Sequence, residues 1–267
     1  MTHNFPVLLV TGASSGIGEA TARLFAEQGY RVALVARRRE RLEALAEEIR
    51  RKGGEALPIV ADLADLRQIE QLVATSLSHY GKIDVLFNNA GIGRLNWLEN
   101  LDPLADIEAL IRVNFLGLVH TTRAVLPHMI ARRSGHIINM ASMAGYLATP
   151  TYTIYAASKF AVRGFSDALR REVGVYGIHV SGVYPGGVNT EFARYARAKR
   201  KTGITTPARL RLSAEQVANC VYDVARRPRR AVLIPAPMRL VAWIGFFFPG
   251  FVDWIIERRF TRPERGL

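Results

Sequence analysis

Short β-rich segments alternate with longer amphipathic segments along this chain, and this alternation constrains the fold more than any other feature. Seven segments are typical of strands: Val7–Val10, Arg31–Ala36, Ala56–Val60, Ile83–Asn88, His136–Met140, His179–Tyr184 and Ala231–Ile234. Helical patterns lie between them, as in residues 42–49, where apolar side chains recur at helical spacing. The alternation predicts an α/β fold, a Rossmann-like doubly wound parallel sheet of about seven strands with helices on both faces.

The third strand contains Pro58, which cannot donate a hydrogen bond to a neighbouring strand and therefore favours the edge of a sheet. The strand order 3-2-1-4-5-6 places strand three at an edge, so the proline supports this topology. No repeat or linker interrupts the first 190 residues. We expect a single domain over 1–267, with a basic lid insertion at 191–212 and an apolar, aromatic C-terminal extension at 236–267.

The composition limits the partners that the chain can have. Lys and Arg number 36 against 23 Asp and Glu, a net charge of +13, but no DNA- or RNA-binding signature accompanies them. We therefore expect no nucleic-acid partner. Cys220 is the only cysteine, which excludes an internal disulfide and a multi-cysteine metal site, and we expect no metal. The N-terminus has no pattern of a secretory signal, so a cytoplasmic location is the default expectation.

The first strand leads directly into a glycine-rich turn and then a helix. Glycines let the backbone approach a pyrophosphate, whose charge the helix N-terminus stabilises. The candidate cofactor-binding residues in this turn are Gly12, Ser14, Ser15, Gly16, Ile17 and Gly18. The spacing G-x-x-x-G-x-G differs from the common G-x-G-x-x-G, so a plain glycine-rich turn remains the alternative.

The end of the second strand predicts which dinucleotide binds. An acidic residue there would bind the adenine ribose hydroxyls of NAD, but this chain has Ala36 followed by Arg37 and Arg38. Guanidinium groups can pair with a 2′-phosphate, which favours NADP(H). The alternative is that these arginines only begin a solvated helix.

Two further strand ends supply candidate cofactor contacts. Asp62, after the third strand, can accept a hydrogen bond from the adenine amino group, with Leu63 beside it. The fourth strand ends in Asn88, which we expect to be a structural brace, and in three candidate contacts, Asn89, Ala90 and Gly91. Ligands of open α/β sheets bind at such strand ends.

Ser142, Tyr155 and Lys159 are the candidate catalytic residues. Tyr155 and Lys159 are four residues apart on a predicted helix, so both side chains lie on one face. We expect the ammonium group to lower the pKa of the phenol from about 10, making Tyr155 a general acid or base, with Ser142 binding the same substrate oxygen. A second Tyr-x-x-x-Lys, Tyr195 to Lys199, lacks an upstream serine at a strand end.

The motifs follow one another in a characteristic order: Thr11-Gly-x-x-x-Gly-Ile-Gly18, Asn88-Asn-Ala-Gly91, Asn114, Ser142, Tyr155-x-x-x-Lys159 and Pro185-Gly186. As a set they resemble the NADP-preferring short-chain dehydrogenase/reductase family over residues 5–190 and again near 231–235. The resemblance implies NADP(H) as cofactor, hydride transfer to or from a substrate carbon, and a homo-oligomer. Arg37 matches the NADP-preferring position, whereas Ser15 replaces a second basic residue of the family, so NADP preference depends on the strand-two arginines.

The resemblance also implies roles for single residues. Tyr155 would donate or accept the proton, and Ser142 would orient the substrate oxygen. Lys159 would bind the nicotinamide ribose, while Asn114 would kink its helix and hold a water that connects Lys159 to solvent. The segment expected to contact the nicotinamide consists of Pro185, Gly186, Val188 and Thr190.

The two regions outside these motifs bear on the substrate. The lid, 191–212, has seven basic residues and one acid, so it either closes over an anionic substrate or stays solvated. Residues 240–252 carry no charge and are flanked by Arg239 and Arg258. They are shorter than the ~20 residues of a membrane span, which leaves a membrane-surface segment, a pocket wall or a subunit contact. The first two favour a lipophilic carbonyl substrate.

The leading functional hypothesis is therefore an NADPH-dependent oxidoreductase that reduces a lipophilic carbonyl or oxidises the corresponding alcohol. Its expected partner is a small-molecule substrate. A 3-oxoacyl-thioester reductase, whose basic lid receives a carrier phosphate, is the alternative among enzymes. A non-catalytic nucleotide-binding scaffold is the alternative outside enzymes. The presence of Asn114 together with Ser142, Tyr155 and Lys159 argues against the scaffold.

Overall fold

The computed structural model describes residues 5–196 and 206–267 and contains one parallel sheet of seven strands. The strands are β1 (Val7–Thr11), β2 (Arg31–Ala36), β3 (Glu55–Val60), β4 (Val85–Asn88), β5 (Gly135–Met140), β6 (Ile178–Pro185) and β7 (Ala231–Ile234). Their spatial order is β3-β2-β1-β4-β5-β6-β7, which confirms the doubly wound topology expected from the sequence.

Helices connect the strands and cover both faces of the sheet. They are α1 (Gly16–Glu27), α2 (Arg39–Arg51), α3 (Leu66–Tyr80), α4 (Gly117–Arg132), α5 (Thr153–Val173), α6 (Glu191–Ala196), α7 (Ala214–Arg226), α8 (Met238–Phe247), α9 (Pro249–Ile256) and α10 (Arg262–Arg265). Two π-helical turns, Pro103–Glu108 and Arg112–Leu116, precede α4, and a third, Glu257–Thr261, joins α9 to α10.

The alternation of β1 shows why the sheet needs helices on both sides. Leu8 and Val10 point into one apolar core, formed with α1, α2 and α7. Val7 and Leu9 point into a second core on the opposite face, formed with α3, α4 and α5. All four side chains are completely buried, so β1 is a central strand enclosed by two helical layers.

Three local sequence signals have the structural roles that the sequence predicts: an edge-strand proline, a capping box and a glycine after a helix. Pro58 lies in β3, which pairs only with β2 within the described sheet, as the edge prediction requires. Ser213 and Gln216 form the reciprocal hydrogen bonds of a capping box, which starts α7. Gly29 follows α1 with a φ of 83°, a conformation that favours glycine.

The C-terminal extension forms two successive helices joined at a sharp bend. Pro249 begins α9 directly after α8, and proline at the first helical position needs no backbone N–H. Within the described part of the chain, no single helix has both the length and the apolar composition to cross a membrane. The helix Met238–Phe247 and the segment Pro249–Arg265 meet these criteria only together, and they are bent by 108°.

Candidate active site

The carboxyl ends of β1 and β4 meet where the strand order reverses, the place at which open α/β sheets bind ligands. The Thr11 hydroxyl accepts hydrogen bonds from the backbone N–H groups of Asn89 (3.0 Å) and Ala90 (3.1 Å). The Asn89 amide donates to the Thr11 carbonyl oxygen at 3.0 Å. A Cβ on Gly18 would lie 2.6 Å from the Asn89 Nδ2, so this glycine is required for α1 to approach the loop. The predicted contacts Asn89 and Ala90 are thus fixed beside the glycine-rich turn.

Two positions of the glycine-rich turn have the left-handed backbone and close neighbours that favour glycine. Gly12 has a φ of 69°, and a Cβ there would lie 2.8 Å from the Ala90 Cα. Gly16 has a φ of 57°, and its Cβ would lie 3.2 Å from Thr190 Cγ2. Ser15 precedes α1 without capping it by its side chain. A positively polarised helix end beside bare backbone fits the pyrophosphate of a dinucleotide.

Arg38 lies over the glycine-rich turn. Its Nε donates to the Ser14 hydroxyl at 3.0 Å and its Nη2 to the Ser15 hydroxyl at 2.6 Å. Its Nη1 donates to the Glu191 carboxylate at 3.1 Å, and Arg41 donates to the same carboxylate at 2.9 Å. Arg38 is therefore more than a solvated helix start. The sequence analysis missed Arg41 and Glu191, because only the folded chain brings residue 191 to α2.

A cleft of about 400 Å³ lies next to these arginines. Arg37 lines it and faces Asp62, with 3.8 Å between Nη1 and Oδ2. Its other lining residues include Ala64, Ile92, Arg94, Leu104, Arg112 and Val113. Its position and the Asp62 carboxylate fit an adenine ring. Leu63, expected to pack beside that ring, is instead buried in the core, and Ala64 takes its place in the cleft.

Two buried asparagines support the loop after β4. Asn88 donates to the Thr122 hydroxyl and to Asn139 Oδ1, both at 2.9 Å, which is the bracing role expected of it. Asn114 accepts from the Ile92 N–H (2.7 Å) and donates to the Ile92 carbonyl (2.9 Å). Asn114 lies in the π-helical turn Arg112–Leu116, so the helix is irregular where the family resemblance implies a kink.

The three catalytic candidates meet at the carboxyl end of β5. Lys159 Nζ lies 5.7 Å from the centroid of the Tyr155 ring and donates to the Met140 carbonyl oxygen at 3.1 Å. Ser142, two residues after β5, lies close to the Tyr155 phenol, and its hydroxyl accepts a hydrogen bond from the Ala144 N–H at 3.1 Å. Tyr155 and Lys159 are buried, so this cluster is shielded from bulk water.

The electrostatics of the pair correct one sequence expectation. Burial raises the pKa of Tyr155 to about 12, although the nearby Ser142 hydroxyl opposes this shift. Burial also lowers the pKa of Lys159 to about 8. The expected lowering of the tyrosine pKa by the lysine is therefore wrong, because removal from water disfavours the charged form of each group. The phenol is held protonated at neutral pH.

The described part of the lid packs against the site. Phe192 lies 5.9 Å from the Tyr155 ring, centroid to centroid. The Leu95 N–H donates to the Ala196 carbonyl at 3.1 Å, and a Cβ on Gly93 would lie 2.6 Å from the Ala196 Cβ. Residues 191–196 therefore pack partly against the site, while Phe192, Arg194 and Tyr195 keep exposed side chains. Residues 197–205, with Lys199, lie outside the described residues.

The expected nicotinamide segment follows β6, close to the glycine-rich turn. The Gly186 N–H donates to the Ile234 carbonyl at 2.8 Å, which fixes the chain after Pro185. Val188 pairs with Leu212 in an isolated bridge. Thr190 lies next to Gly16 of the glycine-rich turn. Gly91, the last predicted contact of the β4 loop, is so close to Asn114 that a Cβ would lie 3.2 Å from its Oδ1.

The C-terminal extension lies on the same side of the sheet, at the carboxyl ends of its strands. A Cβ on Gly186 would lie 3.5 Å from Met238 Sδ, and one on Gly245 would lie 2.9 Å from Leu147 Cδ1. Arg265 stacks over the Trp97 ring at 3.8 Å. The extension thus passes from the nicotinamide segment to the loop that follows Ser142, and on to the loop at residue 97.

The motifs of the site match those of a known enzyme family. The family described as short chain dehydrogenase matches residues 6–201 of the chain. The chain belongs to the short-chain dehydrogenase/reductase family, and it is an oxidoreductase acting on CH–OH or C=O groups.

Three similar proteins illustrate the range of the relatives. An uncharacterized oxidoreductase of Listeria innocua is 42% identical over 193 residues, covering 72% of this chain and 77% of the relative. An NADP-dependent 3-hydroxy acid dehydrogenase of Salmonella typhimurium is 37% identical over 225 residues, covering 83% and 90%. The structure of an actinorhodin polyketide ketoreductase with NADPH aligns with a TM-score of 0.81 and 32% identity, over 89% of this chain and 98% of that one.

Proposed function

We propose that the protein is an NADPH-dependent carbonyl reductase, working in reverse as an alcohol dehydrogenase. The observation that carries this proposal is the meeting of Ser142, Tyr155 and Lys159 beside a glycine-rich turn that Arg38 covers. The NADP-dependent Salmonella relative and the NADPH-bound ketoreductase support the choice of cofactor. When bound, NADP(H) supplies the hydride exchanged with the substrate carbon.

Tyr155 acts as the general acid of carbonyl reduction. Its phenol, with a pKa of about 12, holds the proton at neutral pH and gives it to the substrate oxygen as negative charge develops there. Ser142, whose hydroxyl lies close to the Tyr155 phenol, orients the same oxygen. Lys159 is buried beside the ring and holds a proton that can replace the one lost, with Asn114 as the residue linking it to solvent.

The residues around the turn hold the cofactor. Gly12, Gly16 and the N-terminus of α1 bind the pyrophosphate through backbone N–H groups. Arg37 and Arg38 bind the 2′-phosphate with charge-assisted hydrogen bonds. Asp62 lies in the cleft that would receive the adenine, and the segment 185–190 would hold the nicotinamide.

The substrate is a lipophilic ketone or aldehyde. Phe192 lies against the ring of the catalytic tyrosine, so an apolar side chain borders the reacting group, and Leu147, in the loop after Ser142, packs against α8. A pocket with apolar walls and a few placed polar groups discriminates in favour of apolar substrates. As in its family, the protein is proposed to act as a homo-oligomer.

NADPH oxidation measured against a panel of carbonyl compounds tests this function. The panel contains fatty, steroid-like and isoprenoid carbonyls, small polar ketones and an acetoacetyl thioester. We expect the lipophilic compounds to be reduced fastest, and Tyr155→Phe to lower kcat by about 10²–10⁴-fold, the contribution of a general acid. Tyr176→Phe, which makes the same change at an exposed site before β6, is the control.

Each other result of the screen contradicts a part of this proposal or indicates a different function. Fastest turnover of the thioester indicates the acyl-thioester reductase, and equal turnover of small polar ketones contradicts the lipophilic pocket. Unchanged activity in Tyr155→Phe contradicts the mechanism. Absence of turnover for every compound indicates a nucleotide-binding scaffold.

We further propose that the C-terminal extension contacts an anionic membrane surface. Its exposed apolar side chains, here called the aromatic surface, are Leu240, Trp243, Phe246, Phe247, Phe248, Phe251 and Trp254. Residues 236–267 carry five arginines and three acids, on a chain of net charge +13. Arg258 lies 5.0 Å from the Trp254 ring, the combination of base and aromatic that suits a headgroup region. Because the extension borders the site, a membrane-dissolved substrate would have a short path to Tyr155.

Cosedimentation with vesicles tests the membrane contact. We expect the protein to bind phosphatidylglycerol-containing vesicles better than phosphatidylcholine vesicles, and Trp243→Ser with Phe247→Ser to lose this binding. Val175→Ser with Tyr176→Ser is the matched control, because this exposed pair lies just before β6, at the amino end of the strand. Equal sedimentation of both double variants contradicts the proposal. Dissociation of an oligomer by the first variant alone, without vesicle binding by the wild type, would show a subunit interface instead.

A further inference from the structure

One carboxylate lies among the arginines that face the proposed 2′-phosphate site. Glu191 begins α6, directly after Thr190, and is distant in sequence from the arginines it binds. Its carboxylate accepts from Arg38 Nη1 at 3.1 Å, and from Arg41 Nη1 at 2.9 and 3.1 Å. Two other N–H groups of Arg38, on Nε and Nη2, donate to the Ser14 and Ser15 hydroxyls, so this guanidinium connects the glycine-rich turn with the lid.

This contact differs from the ordinary ion pairs on the same helix. Arg39 and Glu43, for example, are four residues apart on α2, and their side chains are 68% and 55% exposed. The Glu191 side chain is only 26% exposed and bridges two arginines from another element. Glu191 is the only acidic residue in the segment 191–212, which has seven basic residues. Its position therefore has a specific consequence for an anion that binds the same arginines.

We propose that Glu191 is a specificity-determining residue that competes with the cofactor 2′-phosphate for Arg38 and so limits the preference for NADPH over NADH. This inference rests on the proposed function. The 2′-phosphate requires charge-assisted hydrogen bonds from Arg38, and the carboxylate already takes one of these donors. Two anions on one guanidinium repel each other, so Glu191 must release Arg38 when the phosphate binds.

Arg41 gives the displaced carboxylate a partner. It lies one helical turn after Arg38 on α2 and already donates twice to Glu191. NADH has no 2′-phosphate and leaves the contact between Arg38 and Glu191 intact. The same helix, α6, carries Phe192 against the Tyr155 ring, so this exchange takes place at the start of the element that covers the catalytic tyrosine.

Calorimetric titrations of the wild type and Glu191→Gln with NADPH and NADH test the inference by affinity alone. We expect Glu191→Gln to lower the Kd for NADPH by roughly three- to tenfold, the range of one charge-assisted contact at a partly exposed site. The Kd for NADH stays the same. The gain diminishes at high salt, because ions screen the repulsion that the substitution removes.

Glu43→Gln is the matched control, since it removes the same charge from an exposed pair on α2. We expect it to leave both affinities unchanged. An unchanged or weaker affinity of Glu191→Gln for NADPH overturns the inference, and weaker binding would mean that Glu191 holds the arginines in place for the phosphate. A wild type that binds neither nucleotide overturns the proposed function as well. A wild type that prefers NADPH, with no response to Glu191→Gln, overturns only the inference.

Discussion

Tyr155 and Lys159 are two ionisable groups that the fold removes from water together. The two residues are 9% and 4% exposed, and burial disfavours the phenolate and the ammonium alike. As a result the phenol is protonated throughout the neutral range, whereas the lysine loses its proton near pH 8. The group that changes charge near physiological pH is therefore the lysine.

This assignment predicts the pH dependence of carbonyl reduction. The lysine pKa is lowered, so its charge is complete well below pH 8 and is lost as the pH rises through that value, while Tyr155 stays protonated. We expect kcat/KM to be constant on the acidic side and to fall above about pH 8. Lys159→Arg, whose side chain keeps its charge, should move the decline to higher pH. The same decline in both proteins would contradict the assignment to Lys159.

The sequence predicts which of these residues meet but not the sign of the tyrosine shift. The i, i+4 spacing places Tyr155 and Lys159 on one helix face, and this relation is local. The pKa depends on how much water the surrounding strands exclude, which spacing does not contain. The contact of Glu191 with Arg38 is hidden for a similar reason, because more than 150 residues separate them.

At the scale of elements, the π-helical turn before α4 links the catalytic helix to the cofactor cleft. Asn114 in this turn satisfies both backbone groups of Ile92 and lies 3.4 Å from the Ser158 hydroxyl on α5. Ile92 lines the cleft. Asn114 is thus a structural joint between two parts of the site, in addition to the proton-relay role that the family resemblance implies.

Loss of this joint should destabilise the protein. Asn114→Ala removes both hydrogen bonds to the partly buried backbone of Ile92, and we expect it to lower the free energy of unfolding by about 1–3 kcal/mol, the sum of two such bonds. Urea denaturation measures this change. Asn219→Ala, at an exposed position of α7, should change the free energy by less than about 0.5 kcal/mol. Equal effects of the two substitutions would show that the hydrogen bonds to Ile92 contribute nothing.

Elements differed in how well their sequences predicted them. The strands and their order followed from apolar alternation and from Pro58, because these signals are local. The strand bounds moved by one or two residues, as in β4, which begins at Val85 rather than Ile83. The packing of α6 and the bent pair α8 and α9 carried no such signal, since both depend on contacts with distant loops.

At the scale of the whole molecule, the functional parts lie together along one edge of the sheet, the edge formed by the carboxyl ends of its strands. The glycine-rich turn, the Asn89 loop, Ser142 and the segment after Pro185 all follow strands at this edge, and the C-terminal extension borders it. The net charge of +13 gives the whole chain a field that attracts anions. The specific choice between two anionic dinucleotides nevertheless depends on a few arginines at the end of β2.

Calorimetric titration of the wild-type protein with NADPH and with NADH tests the central claim most directly. We expect NADPH to bind roughly ten- to a hundredfold more tightly, as one or two charge-assisted contacts to the 2′-phosphate would give. Arg37→Ala together with Arg38→Ala should abolish this difference and leave NADH binding nearly unchanged. Equal affinity for the two dinucleotides, or tighter binding of NADH, would contradict the assignment of this protein as an NADPH-dependent reductase.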